Sequence, residues 1–231
     1  MSMSVRIALA LLVPPQTRSL PVRALRRGRL LASTAALAAL ALAFPVVVAA
    51  AGLRGEDYVL AKTVGVILLP LLVVVTLRGA VATATPRAAW RWWAPVLVVA
   101  VWASARSWVS EMPDYSSVAA ADLLVAATAT AVTAGLGEEL FYRRLLQTRL
   151  EALLGGGPGV VLTSLAFALM HLGSHGTGDL VADVARVVVA QGTFGLFVGV
   201  LWWRYRNFTL VVVAHVLANG YPEVVAEVLS R

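Results

Sequence analysis

The sequence contains no cysteine and few charged residues. None of its 231 residues is cysteine, and only 13% are Asp, Glu, Lys or Arg. The absence of cysteine excludes disulfide bonds, thiolate metal sites and cysteine nucleophiles. Soluble domains contain about a quarter charged and about half apolar residues, whereas 60% of this chain is hydrophobic. The composition therefore predicts a membrane protein.

Long apolar stretches follow one another along the chain. A helix needs about 20 apolar residues to cross a bilayer, and it satisfies its own backbone hydrogen bonds there. We therefore predict an all-α, polytopic transmembrane helical bundle with about seven spans, or roughly six to eight. No internal repeat or low-complexity linker divides residues 30–231, which favours one transmembrane domain. The stretches are Leu30–Ala51, Tyr58–Leu77, Trp93–Ala105, Val118 into segment 137–149, Val160–Leu172, Val184–Trp203 and Phe208–Leu229.

Residues 1–29 are basic, with six arginines and no acidic residue. The apolar run Ile7–Val13 ends at two prolines, and no small-residue cleavage pattern follows. A basic cytoplasmic leader is therefore favoured over a cleaved signal peptide.

The positive charge follows the expected membrane topology. With the amino terminus inside, most basic residues lie on the inner side, while Lys62 and most acidic residues outside segment 137–149 are assigned to the outer side. The charge therefore indicates orientation and contact with membrane lipids, and nucleic acid is not expected as a partner. The Ala-, Val- and Arg-rich composition favours a bacterial inner (plasma) membrane.

Two adjacent glutamates follow the apolar run Val118–Leu136. A charged side chain at membrane depth costs about 2.5–3.5 kcal/mol on insertion scales, so such residues usually have a function. The four-residue spacing brings Glu139 and Arg143 to one helix face, where they can form an ion pair. Glu138 lies about 100° away around an α-helix, and we predict that it is free for another role.

Two of the three histidines lie in predicted spans, at His171 and His215. Asn219 follows His215 by four residues and shares its helix face. At a rise of about 1.5 Å per residue, counting from the turn at Gly155–Pro158 and from Asn207 places both histidines and Glu138 at a similar depth. We therefore predict that these side chains share one buried site. The same count places Arg149 and Glu151 on a protruding cytoplasmic tip, and His175 in a solvated loop.

Three short motifs carry a family resemblance: E-E-L-F-Y-R from Glu138, F-A-L-M-H from Phe167 and H-V-L-A-N from His215. They resemble the E-E-x-x-x-R, F-x-x-x-H and H-x-x-x-N/D motifs of the CPBP (CAAX protease and bacteriocin-processing, or Abi) family of intramembrane proteases. The resemblance implies a protease-like core at 118–229. It also implies an endopeptidase similar to the CAAX prenyl endopeptidases, acting on a hydrophobic or lipid-modified peptide.

The resemblance also implies roles for single residues. Glu138 is the expected general base, and His171 is expected to help position the water. His215 and Asn219 would stabilise the oxyanion, and the pair of Glu139 and Arg143 would support the helix face.

No cofactor is favoured, although zinc remains an alternative because the family was long labelled as metalloproteases. Two histidines and a glutamate, here His171, His215 and Glu138, are a suitable ligand set for zinc. The H-E-x-x-H pattern is absent, however, and the three candidates come from separate helices. Water activation by glutamate without a metal is therefore the preferred hypothesis.

Two other functions remain open at this point. A proton-coupled transporter would use Glu138, His171 and His215 as a relay, although the inverted repeats of many transporters are not seen. A non-catalytic immunity or scaffold protein would keep the pocket without using it.

Overall fold

The computed structural model describes residues 27–77, 98–99, 115, 117–172 and 177–231. All regular secondary structure in these ranges is helical, which confirms the predicted all-α class. Most of the basic leader and most of the predicted third span, Trp93–Ala105, lie outside the described residues. The helices in the described ranges are α1 (Arg27–Ala51), α2 (Gly55–Thr76), α3 (Ala120–Leu154), α4 (Gly156–Met170), α5 (Leu180–Tyr205), α6 (Phe208–Ala218) and α7 (Tyr221–Leu229).

The lengths and compositions of these helices are those of an integral membrane protein. Within the described residues, α1, α2, α3 and α5 are each long and apolar enough to cross a bilayer. Helices α6 and α7 meet at a bend of 59° and give a fifth span if they are counted as one broken helix. Helix α4 has only 15 residues, fewer than the roughly 20 that a span requires.

Helix α3 lies at the centre of the bundle and packs against α1, α2, α4, α5, α6 and α7. Glycines allow the neighbouring helices to approach it closely. A Cβ atom on Gly135 would lie 2.5 Å from Val216 of α6, and one on Gly137 would lie 2.9 Å from Ile67 of α2. Small residues at such contacts bring helix backbones together. The sequence around the two glutamates therefore places α2 and α6 directly beside them.

The middle of α3, Ala131–Gln147, is wound as a π-helix. Its hydrogen bonds run from residue i to i+5, a form that is rare and frequent at functional sites. The wider turn separates neighbouring residues by less than the 100° of an α-helix. Glu138 and Glu139 therefore point in more similar directions than the α-helical geometry of the sequence analysis predicts.

Arg149 and Glu151, which the sequence analysis placed on a protruding tip, are buried within the bundle near the end of α3. Arg149 is 1% exposed and Glu151 is 9% exposed. Arg149 donates to the carbonyl oxygen of Leu145 at 2.6 Å, and Glu151 pairs with Arg206 at the end of α5. Residue counting along one helix did not include these partners, which come from elsewhere in the bundle and from the helix backbone.

Candidate active site

Both glutamates of α3 are buried, Glu138 at 1% and Glu139 at 0% exposure. Arg143, also fully buried, pairs with Glu139 through Nε and Oε2 at 3.2 Å, on the face that the four-residue spacing predicts. The guanidinium group of Arg143 also lies over the ring of Phe167 in α4, 4.8 Å from its centre. These contacts hold the Glu139 side chain between α3 and α4.

His215 of α6 lies between the two glutamates. Its Nδ1 is 2.7 Å from Oε1 of Glu139, and its Nε2 is 3.9 Å from Oε2 of Glu138. Because a carboxylate only accepts hydrogen bonds, Nδ1 is the donor. The bond to Glu139 fixes the orientation of the ring, and Nε2 is thereby directed towards Glu138.

Aromatic rings surround His215 on the side of α4 and α5. The ring of Phe194 is 5.0 Å away and that of Phe167 is 5.9 Å away, both edge to face. Such packing limits rotation of the imidazole. The ion pairs of the site are therefore enclosed by apolar surface.

His171 ends α4 close to the same site. Its Nδ1 donates to the backbone carbonyl of Phe167 at 2.8 Å, and Nε2 is the second polar atom of the ring. His171 also interacts electrostatically with Glu138. The structure thus brings both predicted histidines to the predicted glutamate.

Asn219 lies at the end of α6, one helical turn after His215. It is exposed and terminates α6, where Gly220 adopts a left-handed φ of 78° and the chain bends into α7. Asn219 lines a cavity of about 220 Å³ together with Thr130 of α3 and Tyr221 of α7. The residues that line this cavity do not include the glutamates or His215. His175, predicted to lie in a loop, falls outside the described residues.

Lys62 is a member of the site that the sequence analysis did not identify. It was assigned to the outer side, but it is 8% exposed in α2, and its Nζ lies 2.5 Å from Oε1 of Glu138. The ammonium also faces the ring of Tyr58, 5.8 Å from its centre. Lys62 is the only lysine of the sequence. This was the one feature of the sequence that could have identified it as a site residue. Glu138 is therefore not a partner of Arg143, but it forms an ion pair with Lys62 that the sequence analysis did not include.

Several buried polar atoms around Glu138 have no hydrogen-bond partner in the described part of the chain. They are Oε2 of Glu138, the hydroxyl of Tyr142 and both terminal nitrogens of Arg143. Buried polar groups are almost always hydrogen-bonded, so exceptions of this kind need an explanation. Here they surround the residues that the motifs single out, as expected for groups that bind water or substrate.

The arrangement does not fit a zinc ion. Among the described residues, no group of three His, Cys, Asp or Glu side chains is placed to hold a metal. Oε1 of Glu138 is next to the Lys62 ammonium. A cation beside a carboxylate reduces its capacity to bind a second cation. We therefore derive no step through zinc.

Residues 120–221 match the family model described as type II CAAX prenyl endopeptidase Rce1-like. No curated protein and no solved structure shows a significant match to the chain. The matched region runs from the start of α3 to the start of α7. It includes all six predicted site residues, Glu138, Glu139, Arg143, His171, His215 and Asn219, but not Lys62. Residues 120–221 of this integral membrane protein are thus similar to the CAAX-type proteases, which supports the resemblance of the motifs to the CPBP family.

Proposed function

We propose that the protein is an intramembrane endopeptidase in which Glu138 activates water to hydrolyse a peptide bond. The observation that carries this proposal is the separation of 3.9 Å between Oε2 of Glu138 and Nε2 of His215. That separation is too long for a direct hydrogen bond, and one water molecule can bind both atoms. Oε2 has no other hydrogen-bond partner among the described residues.

In this mechanism Glu138 takes a proton from the water while the water oxygen attacks the substrate carbonyl carbon. The carbonyl oxygen becomes an oxyanion in the tetrahedral intermediate. When the carbon–nitrogen bond breaks, Glu138 returns the proton to the leaving amine, so that water is consumed and the base is regenerated. Proton transfer of this kind contributes about 10²–10⁴-fold to a rate.

His215, His171 and Asn219 supply the surrounding polar groups. The Nδ1–H bond to Glu139 orients His215 towards the water and the developing oxyanion. We assign Nε2 of His171 to positioning the water, because His171 interacts with Glu138. Asn219 lines the cavity at the end of α6, and we assign to it a hydrogen bond to the substrate backbone that stabilises the oxyanion.

An apolar cavity of about 460 Å³ lies between α1 and α2 and suits the hydrophobic part of a substrate. Phe44 lines this cavity and contacts Tyr58, with ring centres 6.4 Å apart, and Tyr58 in turn contacts Lys62. Contacts through Tyr58 and Lys62 thus link Phe44, in the wall of the cavity, to Glu138. We propose a hydrophobic or lipid-modified peptide as the substrate, in a bacterial inner membrane with the basic amino terminus in the cytoplasm.

The test uses the full-length protein in detergent and a library of lipidated and unmodified hydrophobic peptides, with products identified by mass spectrometry. The Glu138→Gln variant removes the base, and we expect its kcat to fall by about 10²–10⁴-fold. The matched control is Glu56→Gln, an exposed glutamate in the first turn of α2, which should cleave like the wild type. Cleavage by Glu138→Gln at the wild-type rate would remove Glu138 from the mechanism.

A further inference from the structure

Lys62 stands out first by its chemistry. The chain has 19 Lys and Arg residues, and Lys62 is the only lysine among them. It lies in an apolar helix that is long enough to span a membrane, where a charge is costly and is usually retained for function. The ion pairs Glu139–Arg143, Asp183–Arg186, Glu151–Arg206 and Glu227–Arg231 all use arginine in the described residues, so Glu138 alone there pairs with lysine.

The difference between lysine and arginine explains this choice. Arginine presents a planar fork of donors that frequently binds both oxygens of a carboxylate. The ammonium of lysine is a compact point charge that can bind a single oxygen. Lys62 approaches Oε1 of Glu138 at 2.5 Å, while Oε2 is directed to Nε2 of His215. A lysine therefore neutralises Glu138 without covering the oxygen that would bind water.

The position of Lys62 is set by the packing of α2 on α3. Ile67 of α2 lies against Gly137, the residue before Glu138, where a Cβ atom would come within 2.9 Å of the isoleucine side chain. The ring of Tyr58, one turn before Lys62, faces the ammonium. These contacts limit the freedom of the long lysine side chain. They direct its charge to one side of the Glu138 carboxylate.

We propose that Lys62 is a positioning residue of the active site, which holds Glu138 through Oε1 so that Oε2 remains available to water beside His215. This inference rests on the proposed role of Glu138 as the base. A purely structural ion pair between α2 and α3 needs matched charges and satisfied hydrogen bonds, which an arginine can also supply. A positioning lysine would not tolerate arginine.

The experiment measures kcat, KM and thermal unfolding for Lys62→Arg and Lys62→Met in detergent, with the peptide that the wild type cleaves best. We expect both variants to lose about 100-fold in kcat, the effect of misplacing a reacting group by about 1 Å. The KM should change little, because Lys62 does not bind the substrate in this proposal. Lys62→Arg should unfold near the wild-type temperature, because it keeps the charge pair.

The absence of cysteine allows a direct restoration of the ammonium group. A Lys62→Cys variant contains a single thiol, because the chain has no cysteine of its own. Alkylation with 2-bromoethylamine, followed by intact mass, gives a side chain that again ends in an ammonium group. We expect most of kcat to return. Alkylation with iodoacetamide gives a neutral side chain of similar length and should leave the variant inactive.

Two outcomes would overturn the proposal. One is wild-type kcat in Lys62→Arg, which would mark the pair as structural. The other is a loss of kcat that only follows the folded fraction and is equally restored by the neutral alkylation. The Glu138→Gln variant, assayed in parallel, tests the role of Glu138 as the base separately from the role of Lys62. If that variant remains active, the role of Glu138 fails, whereas an inactive Glu138→Gln beside an active Lys62→Arg rejects only the role of Lys62.

Discussion

Two clusters of buried polar residues lie along α3 and differ in how their hydrogen bonds are made. The site cluster contains Lys62, Glu138, Glu139, Arg143 and His215. The second cluster, Gln147, Arg149, Glu151, Trp202 and Arg206, begins one turn further along the helix. Both are buried and both contain ion pairs. Burial and charge alone therefore do not distinguish a reactive site from a structural one in this molecule.

In the second cluster, both oxygens of the Glu151 carboxylate have partners. Oε1 of Glu151 accepts from Gln147 at 2.7 Å, and Oε2 pairs with Arg206. Gln147 also donates to the carbonyl oxygen of Gly199 at 2.8 Å. Oε1 of Gln147 and one terminal nitrogen of Arg206 lack partners in the described residues, but both side chains are bonded through another atom. This cluster joins α3 to the end of α5 and has the character of a structural connection.

In the site cluster, only one oxygen of the Glu138 carboxylate is occupied by a close partner, the Lys62 ammonium. Oε2 of Glu138 and the terminal nitrogens of Arg143 have no hydrogen-bond partner within the described ranges. Unpaired buried groups cost roughly 1–3 kcal/mol each, so they persist only where something else compensates. Water or substrate is the compensation expected at a hydrolytic site. The comparison therefore assigns stability to the second cluster and chemistry to the first.

The largest expected effect that tests the difference between the two clusters is on the free energy of unfolding. Glu151→Ala leaves Arg206 buried without its partner, and breaking a buried pair in this way costs about 3–5 kcal/mol. We expect a lower free energy of unfolding, measured by denaturant titration in mixed micelles, with kcat per folded molecule unchanged. Arg206→Ala should give a similar loss, and the double variant should lose less than the sum of the two. Additive losses would show that the pair is not coupled.

The next effect concerns the support of His215. Glu139→Gln keeps an oxygen for the Nδ1–H bond but removes the negative charge that pairs with Arg143. Residues that orient a reacting group typically contribute about 10–100-fold at metal sites, and we expect a loss of kcat in that range. The matched comparison is Glu138→Gln, which should lose more. Equal activity of Glu139→Gln and wild type would restrict the site to Glu138 and the histidines.

Several of these contacts could be predicted from the sequence, because they depend on spacing within one helix or within one helical hairpin. The pair of Glu139 and Arg143 follows from a spacing of four residues. The approach of His171 to Glu138 follows from the length of the α3–α4 hairpin around its glycine-rich turn. The depth of His215 follows from its distance along the chain from Asn207, and the roles of His215 and Asn219 came from the family resemblance. Local spacing therefore accounts for most of the residues that carry the proposed chemistry.

The contacts between distant helices were not predictable in this way. Lys62 has no motif around it, and its partner depends on how α2 packs at Gly137. The burial of Glu151 depends on Arg206, 55 residues further along the chain. The π-helical winding of α3 changes the direction of Glu138 relative to Glu139. No residue pattern in the sequence predicted this winding. Hydropathy indicates apolar helices, but it does not specify which faces meet.

The smallest effect tests the unpaired hydroxyl of Tyr142. This side chain is fully buried in α3, interacts electrostatically with Glu138 and makes no hydrogen bond in the described residues. Tyr142→Phe removes only the oxygen. If the hydroxyl binds water or substrate during the reaction, kcat should fall about three- to tenfold, the worth of one hydrogen bond of roughly 0.5–1.5 kcal/mol.

Stability should respond in the opposite direction. Because the Tyr142 hydroxyl has no partner to lose, its removal should leave the free energy of unfolding unchanged or slightly higher. Tyr205→Phe at the end of α5 is the control and should not change kcat. A lower stability of Tyr142→Phe with full activity would mean that the hydroxyl has a structural partner. It would then belong with the satisfied groups of the second cluster, and the contrast between the two clusters would be correspondingly weaker.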